Sequence, residues 1–170
     1  RGDASMRRAL LTSLAYSAIA PSYEAAAAAA TSREAATSTY ATAAAAGSGT
    51  DEQRAAAQTA WTDAVMAWEV VEQMQLGPAA PTGSGVGGAG KRDEIYSWPT
   101  VNPCRIDQEL VEQGYLQGDF FTANLVNTYG LDALEYLLFY GGDANACAPQ
   151  LPLNVDGTWA ALGPDEIAKR

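Results

Sequence analysis

The 170-residue chain contains no histidine. That absence excludes a Ser-His-Asp or Cys-His catalytic group and any His-ligated zinc within these residues. Cysteine is nearly absent too, and Cys104 and Cys147 are too few to form a thiolate metal site of their own. Both lie in Pro-containing loops (Asn102-Pro103-Cys104 and Cys147-Ala148-Pro149), which reads as a disulfide rather than as two buried thiols. A bridge closing that loop contributes about 4 kcal/mol by chain entropy and implies an oxidising compartment. No apolar run approaches the roughly 18 residues needed to span a bilayer, and no signal peptide is legible. Basic residues are scarce: ten against twenty acids give a net charge of −10. That balance argues against nucleic acid and anionic membrane surfaces, and it suits cations or basic partners. Period-2 alternation is missing as well, so the expected fold is all-α with almost no sheet.

What is present is helix. Residues 4–46 are an Ala-rich segment with Leu11, Leu14, Ala18 and Ile19 at helical spacing, which Pro21 should kink or divide. Gly47-Ser48-Gly49 ends it. Thr50 with Gln53 makes a capping box, and Asp51 and Glu52 suit the positive end of the next helix. That helix should reach about Leu76, with Trp61, Val65, Trp68 and Glu72 on one stripe. Residues 77–94 form a Gly-rich loop. Short helices are expected over 105–113 and 119–129, then a helix built on Gly130-Leu131-Asp132-Ala133-Leu134-Glu135-Tyr136-Leu137-Leu138-Phe139, then a long loop to Trp159. Gly163-Pro164-Asp165-Glu166 resembles a helix start that only a few residues follow, so the chain reads as a single bundle domain from a longer protein.

The 130–139 segment carries the chemistry. Leu131, Leu134, Leu138 and Phe139 make an apolar stripe, and Glu135 shares it, with Asp132 three residues earlier. An acid on a buried stripe must be paired, protonated or bound to a cation. Other matches are chance. Gly83-Ser84-Gly85-Val86-Gly87-Gly88 fits G-x-G-x-x-G and residues 85–91 fit most of a P-loop, but a helix precedes them and Arg92 stands where Ser or Thr would hold magnesium. Arg1-Gly2-Asp3 matches an adhesion tripeptide at a frayed terminus.

The order Trp61…Trp68-Glu69…Glu72…Leu76-Gly77-Pro78, Ile95…Ser97-Trp98-Pro99, Ile106-Asp107 and Gly130 to Phe139 resembles the imelysin family, as does Ile19-Ala20-Pro21-Ser22-Tyr23. The resemblance implies an all-helical fold of a pair of related up-and-down bundles, of which this chain would be the N-terminal half. It also implies a bacterial periplasmic or lipid-anchored, cell-surface protein, filed among metallopeptidases and linked to iron uptake. Its expected partners are the C-terminal half of the same protein and iron-uptake components. The family signature is G-x-H-x-x-E, whose His and Glu are the proposed metal ligands. Here Gly130 and Glu135 match, and Asp132 occupies the His position.

That replacement weakens a zinc-peptidase reading. Carboxylates suit iron or another hard cation, so Asp132, Glu135 and Glu72 are the candidate ligands, lined by Trp98, Asp107, Glu69 and Tyr136. Plainer roles stand beside these. Asp132 is placed as a helix N-terminal acid, and Glu135 can accept from Trp98 or a tyrosine. Glu72 can pair with Arg92 or Arg105, Trp61 and Trp68 can be core, and Asp107 can start its helix. Three functions follow as expectations: a binding protein of iron acquisition, a metallopeptidase relative without its His, or an interaction module whose polar cluster only fixes the fold.

Overall fold

A computed structural model describes residues 2–48 and 51–167. Its described residues are helical with no strand. The N-terminal segment runs as α1 (Gly2–Leu14), a π-helical stretch (Ala15–Ile19) and α2 (Ala20–Ala45). Pro21 does not break this path. It falls at the second position of α2, directly after the π-helical stretch in which Ala20 N–H bonds back to the Ala15 carbonyl, and the residues at both junctions keep right-handed helical angles. Gly47 (φ 69°) ends the segment in the left-handed region. The expected capping box rests on Thr50, which lies outside the described residues, as do Arg1 of the tripeptide and residues 168–170.

The next helix, α3 (Asp51–Glu72), stops four residues short of Leu76. Tyr23 near the start of α2 donates its hydroxyl to the Leu76 carbonyl (3.4 Å) and accepts from the Leu76 N–H (3.3 Å), so α2 and α3 lie antiparallel. The Gly-rich loop follows, then α4 (Arg92–Ile95) and α5 (Pro103–Glu112), whose first turn is capped by the Asn102 side chain. The expected 119–129 helix is two short pieces instead, α6 (Phe120–Ala123) and a 3₁₀ turn at Val126–Thr128. They are separated at Asn124, which is extended and uses its amide to bond the Phe120 carbonyl and Arg105. The motif helix is α7 (Leu131–Phe139). The expected long loop to Trp159 contains α8 (Pro152–Val155) and leads into α9 (Thr158–Ile167), which is interrupted at Gly163.

Helix α7 runs antiparallel to α3. Trp61 donates its indole N–H to the Leu131 carbonyl at the start of α7 (2.7 Å). At the other end, Arg54 and Gln58 near the start of α3 donate to the Leu138 and Tyr140 carbonyls, capping an end that lacks its own basic residues. The bundle is therefore α2, α3 and α7, alternating in direction. Its core is Ala57, Trp61, Val65, Trp68 and Val71 of α3 against Ala79, Leu131 and Leu138. Phe139 departs from expectation: it is 45% exposed, meeting Trp61 only edge-on.

A second, smaller core joins Cys147, Leu153, Trp159 and Ile167 to Cys104 and Val111 of α5. Cys104 and Cys147 are bonded, with Cα atoms 4.5 Å apart. No described helix is long and apolar enough to cross a membrane.

Candidate functional site

The site begins at Gly130. Its φ of 91° with ψ of −164° is a conformation that essentially only glycine adopts, and a Cβ there would meet the Ile95 carbonyl oxygen at 2.9 Å and that of Glu94 at 3.1 Å. The backbone of α4 thus packs directly on the entry to α7, which needs the missing side chain. Gly130→Ala is expected to destabilise the protein by about 1–3 kcal/mol, read as a fall in the urea midpoint. An unchanged midpoint would mean that the entry to α7 can relax.

This close approach buries Asp132, in the first turn of α7, to 1% exposure. Ser97 donates its hydroxyl to Asp132 Oδ2, while Oδ1 is buried with no hydrogen-bond partner among the described residues. The helix N-terminus favours the acid, as expected of an N-terminal acid, yet one oxygen stays unsatisfied. Glu135, one turn later, is half-buried. Burial, and secondly the Asp132 charge, push its carboxyl above the usual carboxylate range.

Tyr96 completes the cluster. Burial first, then the charges of Glu135, Glu69, Asp132 and Glu72 in that order, push its phenol up. The Tyr96 phenol thus lies in the field of carboxylates carried by α3 and α7. Glu72 pairs with Arg92 (3.3 Å), not with Arg105, and its Oε2 is buried without a described partner. Glu72 and Arg92 line an open groove of about 540 Å3 under the Gly-rich loop, and Glu69 is solvent-exposed.

The remaining candidates lie elsewhere. Trp98 is 62% exposed beside a cis peptide bond to Pro99. Asp107 does not start α5; it sits inside it, fully buried, and accepts from the Tyr136 hydroxyl (2.9 Å) and the Ala146 N–H (2.7 Å). Asp107 and Tyr136 thus tie α5 and α7 to the loop bearing Cys147. Arg105 pairs with Glu109 and Glu112. Sequence reasoning quoted Ser97 but gave it no role, and it passed over Tyr96. Neither shows a periodic signal, because each acts across a chain crossing rather than along a helix.

Hard oxygen donors are present, and the carboxylates of Asp132 and Glu72 each have an oxygen without a described partner. Yet among the described residues no group of three or more His, Cys, Asp or Glu side chains could hold a metal ion.

The raised Glu135 carboxyl has a definite sign. Its neutral form is favoured in the fold, so the stability it contributes is present below the ordinary glutamate pKa and is lost as pH rises through the folded value. Glu135→Gln keeps the neutral shape. It should be more stable than the parent at pH 7, with the difference shrinking as the pH falls below the carboxylate range. Urea midpoints of both proteins across pH would show this; a constant difference at every pH would refute it.

No curated protein and no solved structure matched the chain. The family model described as Imelysin (Peptidase_M75) matches residues 19–154, which take in α2 to α7, most of α8 and the whole Gly130–Glu135 motif. With four-fifths of the chain matched by that model and an all-helical bundle to go with it, the protein belongs to the imelysin family.

Proposed function

We propose that this bundle is the binding half of a periplasmic or surface-anchored protein of iron acquisition. Its acidic cluster takes a hard cation, or an iron complex, against a second helical half of the same protein. The observation that carries the reading is the buried Asp132 carboxylate, one oxygen of which has no partner among the described residues, three residues before the half-buried Glu135, whose carboxyl burial and Asp132 push up. Like charges held together at a cost in stability are a functional-site signal, because a bound cation removes the repulsion.

Asp132 and Glu135 supply the anionic part of the site, and the remaining donors come from the ligand complex or the second half. The face of α1 supports such a partner: Met6, Leu10, Leu11 and Leu14 are each more than half exposed. The disulfide supports an oxidising compartment. Peptide hydrolysis has less support. The chain has no imidazole, and its signature acids have neither a zinc ligand set nor a visible water-activating base. The Ser97–Asp132 hydrogen bond favours a second reading, in which the cluster only locks α4 onto α7.

The full-length protein should be titrated calorimetrically with manganese(II), anaerobic iron(II) and ferric citrate. Binding of at least one, lost in Glu135→Gln while the variant stays folded, is the expected result. No binding of any probe would leave the cluster as part of the fold.

A further inference from the structure

Helix α1 stands clear of the bundle. Every residue from Asp3 to Ala18 is exposed, although Met6, Leu10, Leu11 and Leu14 place four large apolar side chains there. The start of α2 lies beside the end of α3, where Tyr23 bonds Leu76, and the path back into α1 keeps helical angles. α1 therefore runs on past that end of the bundle as an arm about 20 Å long. A helical end without tertiary contacts has little but local propensity to hold it, and an apolar face of this kind marks a contact surface.

The chain carries a matching face of its own. α3 turns Trp61, Val65 and Trp68 inward, and its opposite side exposes Thr59, Asp63, Met66 and Val70, with Met66 and Val70 each more than half exposed. Asp63, Met66 and Val70 have the spacing of Arg7, Leu10 and Leu14, three residues and then four. That is the step of a helix–helix seam. One parallel, in-register pairing sets Leu10 on Met66, Leu14 on Val70 and Arg7 beside Asp63. Charge agrees with it. α1 has two arginines and one acid, whereas residues 20–167 hold five basic residues and nineteen acids. Asp63 and Arg8 form no ion pair with a described residue, and Arg7 has only its exposed pair with Asp3, which holds it weakly.

The arm points away from its own α3, so a second copy must supply the face. With two copies end to end, the arm of one runs alongside the last turns of the other's α3. The two helices then point the same way, as the in-register pairing requires. We propose that two copies of this chain associate by exchanging arms, α1 of each lying on the outer face of α3 of the other in one isologous contact. The inference does not rest on the cation reading.

Sedimentation velocity of the full-length protein over a dilution series should show a monomer–dimer equilibrium. Met66→Glu, and Leu10→Glu combined with Leu14→Glu, alter exposed residues, so both variants should keep their helical circular dichroism. Each should lose about a hundredfold or more in dimer affinity, because the contact occurs twice. An equimolar mixture of the two variants retains one intact arm and one intact face, and it should associate more tightly than either alone. Arg7→Asp should weaken the dimer, and adding Asp63→Arg to the same chain should restore it. A parent protein that stays monomeric overturns the proposal. Trypsin then distinguishes a free arm, cut at Arg7 and Arg8, from an arm protected by a second helical half. A dimer that survives Met66→Glu, or a mixture no tighter than its components, also overturns it.

Discussion

Replacing Cys104 and Cys147 together by serine should lower the stability of the domain by about 4 kcal/mol, the chain-entropy value for a loop of this length. The two residues are 43 apart in sequence. Their bridge joins the first turn of α5 to the loop after α7, next to the point where Asp107 holds the Tyr136 hydroxyl and the Ala146 N–H. It therefore restrains the unfolded chain and clamps the smaller core of Leu153, Trp159 and Ile167 in the folded one. A loss of that size is a large part of the stability of an ordinary domain. The measurement is the urea midpoint with and without a reductant. A reduced protein as stable as the oxidised one would show that the second core holds without its covalent link. If unfolding of the variant occurs in two steps, the smaller core should melt first, because the α2–α3–α7 bundle does not depend on the bridge.

Trp61→Ala should have an effect of similar size on the larger core. Truncating a buried tryptophan costs about 3–5 kcal/mol through lost transfer energy and the cavity left behind. Trp61 is 9% exposed and packs with Val65, Leu131 and Leu138, with Phe139 edge-on at 5.1 Å. Its indole also satisfies the Leu131 carbonyl, which Trp61→Ala would strand near the buried start of α7. Trp61→Phe keeps an aromatic ring but removes the donor and part of the indole volume, so it should cost less than Trp61→Ala, about 1–3 kcal/mol. Chemical denaturation of both variants decides the matter. Near-equal losses would show that the phenyl ring restores none of the packing, and a negligible loss in Trp61→Phe would show that the hydrogen bond to Leu131 contributes little. Because Leu131 immediately precedes Asp132, the alanine variant should also loosen the acidic cluster, and the difference between Glu135→Gln and its parent should diminish in that background.

Apolar spacing along single helices was readable from the residues alone. Trp61, Val65 and Trp68 recur at helical intervals and form one buried face of α3. Leu131 and Leu138 do the same on α7, and glycine and proline marked the Gly-rich loop and the end of the Ala-rich segment. These are local properties: a period of 3.6 residues, or a residue that cannot continue a helix, is visible without knowing what packs against it. The pairing of Cys104 with Cys147 was readable for a related reason, since two cysteines allow only one bridge within the chain. The alanine stretch in α2 showed no readable face, and only the tertiary structure revealed that Ala26 and Ala36 pack against the larger core.

Tertiary structure decided what each polar group does. Asp107, which looked like a helix start, became a fully buried acceptor because the loop after α7 crosses α5 there. Asp132 and Glu135 were visible as an acidic pair on an apolar stripe, but Ser97 and Tyr96 join them only where the α4 backbone packs on Gly130. The two tryptophans of α3 had the same sequence signature; Trp61 found a carbonyl for its indole N–H, whereas Trp68 Nε1 is buried with no partner among the described residues. Such outcomes depend on contacts between residues far apart in the chain, set by loop paths and helix crossings, and no periodicity along a single segment records them.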